Sequence, residues 1–210
     1  MPGTEHFDQA APTWDLGERR VALAQAVTKA MVGRVTLAKD MDILDFGCGT
    51  GLVTLALAPL VGSTTGADNS SGMLATLAAK AGGLGLPVAL RAQDGQGSAD
   101  LGGPYHLIVS SMTLHHIADV PGLFSQFAAH LNPGGQVALA DLDAEDGGFH
   151  EAGVEIHHQG FPRQQIQAWL EAAGFLDVHL ETATVTRKED RDYPVFLATG
   201  RKPKSKEDPA

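Results

Sequence analysis

The sequence has almost no cysteine: Cys48 is the only one among 210 residues. One thiol cannot form a disulfide within the chain, and it cannot supply the several sulfur ligands of a cysteine-rich zinc or iron–sulfur site. We therefore expect a fold without covalent cross-links, which is typical of the cytoplasm.

Positive charge is also scarce. The chain has 15 Lys and Arg against 25 Asp and Glu, which gives a formal net charge of -10 at pH 7. Proteins that bind nucleic acid or anionic membrane surfaces do so through basic faces. We therefore expect neither partner, because an acidic surface favours a neutral or cationic small molecule over a polyanion.

Long hydrophobic runs are absent as well. No apolar stretch approaches the roughly 20 residues that cross a bilayer. The first residues, MPGTEHFDQ, have neither the basic nor the apolar region of a signal peptide, so we expect a cytoplasmic protein. What is present is an ordinary hydrophobic content of 43% and an excess of glycine, 25 residues, several of them between apolar runs. That pattern is typical of tight turns between strands and helices.

Three regions are predicted along the chain. Residues 1–14 lack periodicity and form an N-terminal arm, 15–200 form the folded domain, and 201–210 form a polar, disordered tail. Strands are predicted at 41–46, 64–68, 88–92, 106–111, 136–142, 178–185 and 195–200, and helices at 15–32, 52–60, 71–81, 120–131 and 162–173.

Alternating strands and helices, with nearly continuous apolar strands, indicate an α/β fold. We predict a single Rossmann-like domain whose mostly parallel sheet is covered by helices on both faces. In such sheets ligands bind beyond the carboxyl ends of the strands. Polar residues directly after each strand are therefore the candidates for a functional site.

The strongest candidate follows the first strand, in the segment ILDFGCGTG (43–51). Its glycines let the chain turn sharply and leave backbone open to a ligand, and amides at the start of the next helix favour electron-rich groups. A dinucleotide fingerprint needs Gly or Ala at position 52, where this chain has Leu52. Asp68 follows about 20 residues after the loop, where a carboxylate can bind both hydroxyls of a ribose.

This segment strongly resembles the first motif of the class I S-adenosylmethionine-dependent methyltransferases. The similarity continues in GADNSSGML (66–74), AQDG (92–95), HLIVSSMTLHHI (106–117) and LNPGGQVALADLD (131–143). It covers about Asp42 to Asp143 and extends more loosely to Gly174. The resemblance implies a sheet of about seven strands with an antiparallel last strand, and S-adenosylmethionine as the cofactor. With the acidic charge it implies a small-molecule acceptor, whose acceptor atom (O, N or C) stays open.

The resemblance also implies which residues contact the cofactor. Asp45 is expected to hold its amino group and Asp68 its ribose, with Ser110 contributing mainly through its backbone. The full expected set is Asp45, Gly47, Cys48, Gly49, Gly51, Asp68, Asn69, Met73, Gln93, Asp94 and Ser110. Cys48, inside the loop, is expected to be a small buried residue rather than a nucleophile.

Catalysis requires a base only if the acceptor atom starts protonated. The candidates are the histidines beyond the strands: His115, His116, His157 and His158. His115 and His116 are adjacent, so at most one of them is expected to face the site. The other pair opens an HHQGF element similar to one in a subset of small-molecule methyltransferases, and one of its histidines is a candidate for the active-site lining. A capping or packing role is the alternative for each.

Substrate contacts are expected from Trp14, Asp141 and His150. Asp141 and Asp143 lie on one side of the fifth strand and begin an acidic segment, which is either a solvated loop or a wall of the acceptor pocket. Trp14 and Phe7 either close over the ligands or pack against the first helix. No ligand spacing is diagnostic of a metal site, so we expect no metal.

Three other functions remain open. One is a catalytically silent subunit that binds S-adenosylmethionine and regulates a partner. Another is a nicotinamide-dependent oxidoreductase, which the early third glycine disfavours. The last is a nucleic-acid methyltransferase, which the acidic charge and the lack of an Asn/Asp-Pro-Pro-Tyr/Phe motif disfavour. The oligomeric state is not predicted.

Overall fold

A computed structural model describes residues 4–93, 100–150 and 154–204. The strands are β1 (Asp42–Phe46), β2 (Ser63–Asp68), β3 (Val88–Ala92), β4 (Tyr105–Ser111), β5 (Leu131–Leu142), β6 (Leu176–Lys188) and β7 (Arg191–Arg201). The helices are α1 (Thr4–Ala10), α2 (Glu18–Arg34), α3 (Leu52–Leu57), α4 (Ser71–Leu84), α5 (Val120–His130) and α6 (Arg163–Ala172). Short 3-10 helices span Ala11–Leu16, Ala58–Leu60 and Leu114–His116.

The strands form one sheet in the order β3-β2-β1-β4-β5-β7-β6. Strands β1 to β5 run parallel, and β7 lies antiparallel between β5 and β6. The predicted Rossmann-like α/β fold, with seven strands and an antiparallel last strand, is confirmed. The order reverses between β1 and β4, and this switch point is where ligands bind in such sheets.

Apolar side chains cover both faces of the sheet. Leu44 of β1 packs with Phe127 of α5 in one buried cluster, and Ile43 packs with Met31 of α2 in the other. Successive residues of a strand point to opposite faces, so β1 contributes to both layers. The central strands are thereby fixed, and the loops at their carboxyl ends start from rigid positions. Within the described residues, none of the helices combines the length and apolar character needed to cross a membrane.

Both ends of the domain are more regular than predicted. The N-terminal arm contains α1 and a 3-10 helix, so the first long helix begins at Glu18 rather than at residue 15. At the other end, the backbone N–H of Lys202 donates to the Gly135 carbonyl (2.8 Å), and that of Gly134 donates to Pro203 (3.2 Å). The predicted disorder therefore does not hold for residues 201–203, because they pair beside β5; residues 205–210 lie outside the described ranges.

Candidate functional site

The carboxyl ends of the central strands surround a cavity of about 340 Å³. One end, which we call the loop end, is formed by the loop after β1 and the residues after β2 and β3. The rest of the wall, which we call the histidine end, is formed by the N-terminal segment, the start of α2 and the segments after β4 and β5. Lining residues at the loop end include Asp45, Gly47, Cys48, Gly49, Asp68, Asn69, Met73 and Gln93, and those at the histidine end include Phe7, Trp14, Arg19, Arg20, His115, His116, Phe149, His150 and His157.

The loop after β1 depends on its glycines for two different reasons. Gly47 and Gly51 have φ angles of 71° and 85°, and a Cβ would overlap Thr113 at the first and Leu77 at the second. At Gly49 the nearest atom to such a Cβ is 4.0 Å away. Packing therefore requires Gly47 and Gly51, whereas Gly49 leaves open backbone at the cavity wall. Gly51 itself does not line the cavity; it is the N-cap residue of α3.

Asp68 closes β2 beside this loop. Its Oδ2 accepts from the backbone N–H of Gly49 at 2.8 Å, and its Oδ1 accepts from that of Ser70 at 2.9 Å. Burial raises the pKa of Asp68, while these N–H donors act to lower it. The two bonds fix the carboxylate at the wall, and each oxygen keeps a lone pair for a ligand hydroxyl.

Asp45 lies at the same end and is 1% exposed. The Thr54 hydroxyl donates to its Oδ2 at 2.6 Å. The pKa of Asp45 is raised to about 7: burial is the main cause and the charge of Asp68 acts in the same direction, while the Thr54 bond acts to lower it. A ligand that placed a cation here would therefore stabilise the ionised carboxylate.

Gln93, directly after β3, presents an unusual amide. Both Nε2 and Oε1 are buried, and neither has a hydrogen-bond partner among the residues that the structure describes. Buried amides are normally paired, so this one marks a place where a ligand with both a donor and an acceptor would fit. The neighbouring candidate, Asp94, lies outside the described residues.

Two other residues of the expected cofactor set, Ser110 and Cys48, have buried side chains. Ser110 is buried and does not line the cavity; its hydroxyl donates to the Phe46 carbonyl at 2.8 Å and so joins β4 to β1. This accounts for the side chain of Ser110 alone, and the backbone contact expected of this residue stays a prediction. Burial raises the pKa of the Cys48 thiol, with nearby carboxylates acting in the same direction, so the thiol stays protonated and is a poor nucleophile.

At the histidine end, the segments after β4 and β5 meet in a buried pair. His115 Nδ1 donates to Asp141 Oδ1 at 2.7 Å, and the two side chains are 3% and 0% exposed. Asp141 also accepts from the backbone N–H of Leu142 at 2.7 Å. Burial acts to raise the pKa of Asp141, but the charge and hydrogen bond of His115 bring it below its usual value. The expected substrate contact at Asp141 does not hold, because this carboxylate lies behind His115 and orients it.

His115 and His116 both line the cavity, which contradicts the expectation that at most one would. They lie in a 3-10 turn rather than a strand, so their directions differ by about a third of a turn, and their ring centroids are 4.2 Å apart. His116 Nδ1 donates to the Glu155 carbonyl at 2.7 Å. Burial and the charge of His115 lower the pKa of His116 to about 3, so this imidazole is neutral at pH 7.

His150 completes a cluster of three imidazoles, with its ring centroid 4.4 Å from that of His115. Burial and the charge of His115 lower its pKa to about 4. Its Nε2 is buried without a partner in the described part of the chain. Across the described ranges, no three His, Cys, Asp or Glu side chains are arranged to hold a metal ion.

The HHQGF element separates its two histidines. The backbone N–H groups of both donate to the His115 carbonyl, at 2.9 Å for His157 and 3.2 Å for His158. The exposed His157 lines the cavity. His158 does not; its Nε2 donates to the Ile117 carbonyl at 3.0 Å, and its ring lies 5.0 Å from that of Phe161. The catalytic role expected of His158 therefore does not hold, because this side chain anchors the segment.

The N-terminal arm covers the cavity, one of the two alternatives predicted for Phe7 and Trp14. Both line it, with ring centroids 5.9 Å apart. Asp8 holds α1 in place: its Oδ1 accepts from the Ser70 hydroxyl at 2.6 Å and from the Gly72 N–H at 2.8 Å. These bonds seat the arm on the start of α4.

Sequence reasoning missed Arg19 and Arg20, which reach the cavity from the first turn of α2. The Arg19 guanidinium carbon lies 5.1 Å from the Phe149 ring centroid, and that of Arg20 lies 4.1 Å from that of Trp14. The Nη1 of Arg19 is buried and has no hydrogen-bond partner among the described residues. Nothing in the sequence marked these residues, because charged side chains on an amphipathic helix usually face solvent.

Comparison with known proteins matches this chain to methyltransferases. Residues 16–180 match a family model described as a methyltransferase domain. An uncharacterised methyltransferase of Schizosaccharomyces pombe is 32% identical over 143 residues, 60% of this chain and 50% of the relative. Phosphoethanolamine N-methyltransferase 1 of Arabidopsis thaliana is 30% identical over 162 residues, 75% of this chain and 33% of the relative. The chain thus spans half or less of these relatives.

A solved structure shows the same fold. Phosphoethanolamine N-methyltransferase 2 of Haemonchus contortus, in complex with phosphomonomethylethanolamine and S-adenosylhomocysteine, superposes with a TM-score of 0.70 at 18% identity. The match covers 84% of this chain and 52% of that one.

Proposed function

This chain belongs to the methyltransferase-domain family, and on that premise we propose that it methylates a small molecule with S-adenosylmethionine as the donor. One observation carries the proposal: a single cavity is lined by the glycine loop, by Asp68 and by His115, whose imidazole is held by Asp141. The loop end supplies a cofactor site. The histidine end supplies a base that is fixed in orientation and protected from water.

The residues at the loop end fit S-adenosylmethionine. Asp68 would bind the ribose hydroxyls with its free lone pairs, and the unpartnered amide of Gln93 would bind a polar edge of the adenine. Asp45 would stand near the methionine amino group, whose positive charge offsets the cost of the buried carboxylate. When bound, the cofactor supplies an activated methyl group on its sulfonium sulfur. Once that methyl group is transferred, the sulfur is a neutral thioether and the product is S-adenosylhomocysteine.

We assign proton removal to His115. Asp141 occupies Nδ1, so Nε2 is the basic nitrogen that remains. When Nε2 takes the acceptor proton, the ionised Asp141 stabilises the resulting imidazolium. A base helps only an acceptor that starts protonated, so this arrangement favours a hydroxyl acceptor, whose oxygen gains the methyl group as it loses its proton.

The test measures S-adenosylhomocysteine formed from S-adenosylmethionine with a panel of small phenols and alcohols. Wild type is compared with His115→Ala, and His179→Ala is the matched control because that histidine is 46% exposed on β6. We expect His115→Ala to lower kcat by roughly 10²- to 10⁴-fold with the KM for S-adenosylmethionine unchanged. The control should match wild type.

Three outcomes would contradict parts of the proposal. An unchanged kcat in His115→Ala would overturn the assignment of the base. Cofactor binding without turnover of any acceptor would favour a regulatory subunit instead. No binding of S-adenosylmethionine by wild type would overturn the proposal as a whole.

A further inference from the structure

Two buried polar groups at the histidine end have no role in the reaction described above. Arg19 Nη1 and His150 Nε2 both lack hydrogen-bond partners among the described residues. Both side chains line the cavity and lie against Phe149, each 5.1 Å from its ring centroid, measured from the guanidinium carbon and from the imidazole centroid. Leaving buried polar groups unpaired costs free energy, so two together mark a place where a ligand supplies the partners.

Arg19 gives this place a positive charge that nearby carboxylates leave unpaired. Asp141 is taken up by His115. Glu145 Oε2 accepts from backbone N–H groups of the loop that follows it; its Oε1 is buried without a partner among the described residues, but the side chain does not line the cavity. Glu155 lines the cavity but is exposed. Within the described residues, none of these carboxylates forms an ion pair with Arg19.

We propose that Arg19 binds an anionic group of the methyl acceptor, so that the acceptor is a small acid carrying a carboxylate or a phosphate. This inference rests on the proposed function, since it specifies the substrate class of the same site. A guanidinium presents a planar fork of donors that matches two oxygens of either group. His150 adds a neutral imidazole at the same place.

The rest of this wall fits the body of such a molecule. Phe7, Leu23, Met112 and Ile117 line the cavity with apolar surface, which suits a ring or short chain between the acid and the hydroxyl that meets His115. The chain as a whole is acidic, and that had favoured a neutral or cationic substrate. A guanidinium whose Nη1 is buried and unpartnered among the described residues reverses the preference locally, because charge interactions are stronger away from water.

The test is calorimetric titration of small probes into the full-length protein saturated with S-adenosylhomocysteine. The probes are benzoate and phenyl phosphate, with benzyl alcohol as the neutral control of similar shape. We expect at least one anion to bind ten times more tightly than benzyl alcohol. Which of the two binds better distinguishes a carboxylate acceptor from a phosphate acceptor.

Variants then locate the binding group. Arg19→Gln removes the charge, Arg19→Lys keeps it without the fork, and Arg34→Gln is the control because Arg34 is exposed at the far end of the same helix. We expect Arg19→Gln to weaken anion binding roughly ten- to hundredfold and Arg19→Lys to weaken it less. Arg34→Gln should bind as wild type does, and S-adenosylhomocysteine should bind all four proteins equally.

The inference is overturned if neither anion binds better than benzyl alcohol, or if Arg19→Gln keeps its anion affinity. If Arg19→Gln does not fold, the comparison of Arg19→Lys with wild type decides, and equal affinities would again refute the inference. Failure of wild type to bind S-adenosylhomocysteine would instead contradict the proposed function, so the two failures are distinguishable.

Discussion

The buried charge of Asp45 makes a quantitative prediction for Asp45→Asn. Burial raises the pKa of this carboxyl from 3.8 to about 7. At about 1.36 kcal/mol per pKa unit, ionisation destabilises the ligand-free protein by at most about 4 kcal/mol at pH 8. Asparagine keeps the shape of the side chain and an oxygen for the 2.6 Å bond from Thr54. We therefore expect the variant to be more stable than wild type at pH 8.

The gain should depend on pH in a defined direction. The folded pKa of Asp45 is above the unfolded value, so the contribution of Asp45 to the stability of wild type is fully present below about pH 4 and is lost as the pH rises through 7. The stability gained by Asp45→Asn should therefore be smallest at pH 4 and largest at pH 8. Urea unfolding of wild type and variant at pH 4, 6 and 8 measures this. Asp42→Asn is the control, since that side chain on the same strand is 51% exposed. A loss of stability in Asp45→Asn of the same size at all three pH values would refute the reasoning.

The same substitution should lower the affinity of the protein for the cofactor. A cationic amino group beside Asp45 favours the ionised carboxylate, so binding to wild type should release a proton below pH 7 and lose affinity as the pH falls. Asp45→Asn should bind S-adenosylhomocysteine more weakly and without this proton release. Calorimetry in buffers of different ionisation enthalpy measures both, and identical proton release in the two proteins would contradict the assignment.

Three further predictions concern the histidine end, the arm and the thiol. Asp141→Asn should lower kcat by roughly 10²- to 10⁴-fold at unchanged cofactor affinity, because His115 loses the charge that stabilises its protonated form; an unchanged kcat would argue against the pair. Asp8→Ala removes the bonds from α1 to the start of α4, so limited proteolysis should cut the N-terminal arm faster than in wild type, and an equal rate would mean that other contacts hold it. Cys48→Ala should keep full activity. The wild-type thiol should react with a thiol reagent only on unfolding, since burial raises its pKa. Loss of activity in the variant would indicate a chemical role for the thiol.

Local sequence patterns predicted the fold well where they alone determine an element. The bounds of β3, Val88–Ala92, match the prediction, and α3 begins at Leu52 as expected. Strand β5 begins five residues earlier than predicted, because Leu131 pairs with Tyr105 of β4. Strands β6 and β7 are also longer, since their polar ends pair with each other across a hairpin. Pairing between distant segments extends these strands, and no local pattern reports it.

The loop end of the cavity was more predictable than the histidine end. Its glycines and Asp68 come from one strand–loop–helix–strand segment whose spacing is fixed by the turn. The pair of His115 and Asp141 joins two segments 26 residues apart, and strand alternation says which side a residue faces but not what covers it. Arg19 gave no signal, because only the folded chain shows that the start of α2 meets Phe149.

The most direct test of the account is the thermal unfolding of wild type and Asp68→Ala with S-adenosylmethionine, S-adenosylhomocysteine, NAD and NADP. A ligand at 100 times its Kd stabilises the folded state by about 2.7 kcal/mol, which is a rise in Tm of roughly 5–10 °C for a chain of this size. We expect that rise with the two adenosyl ligands alone, and a much smaller one in Asp68→Ala. A rise with a dinucleotide and none with the adenosyl ligands would contradict it.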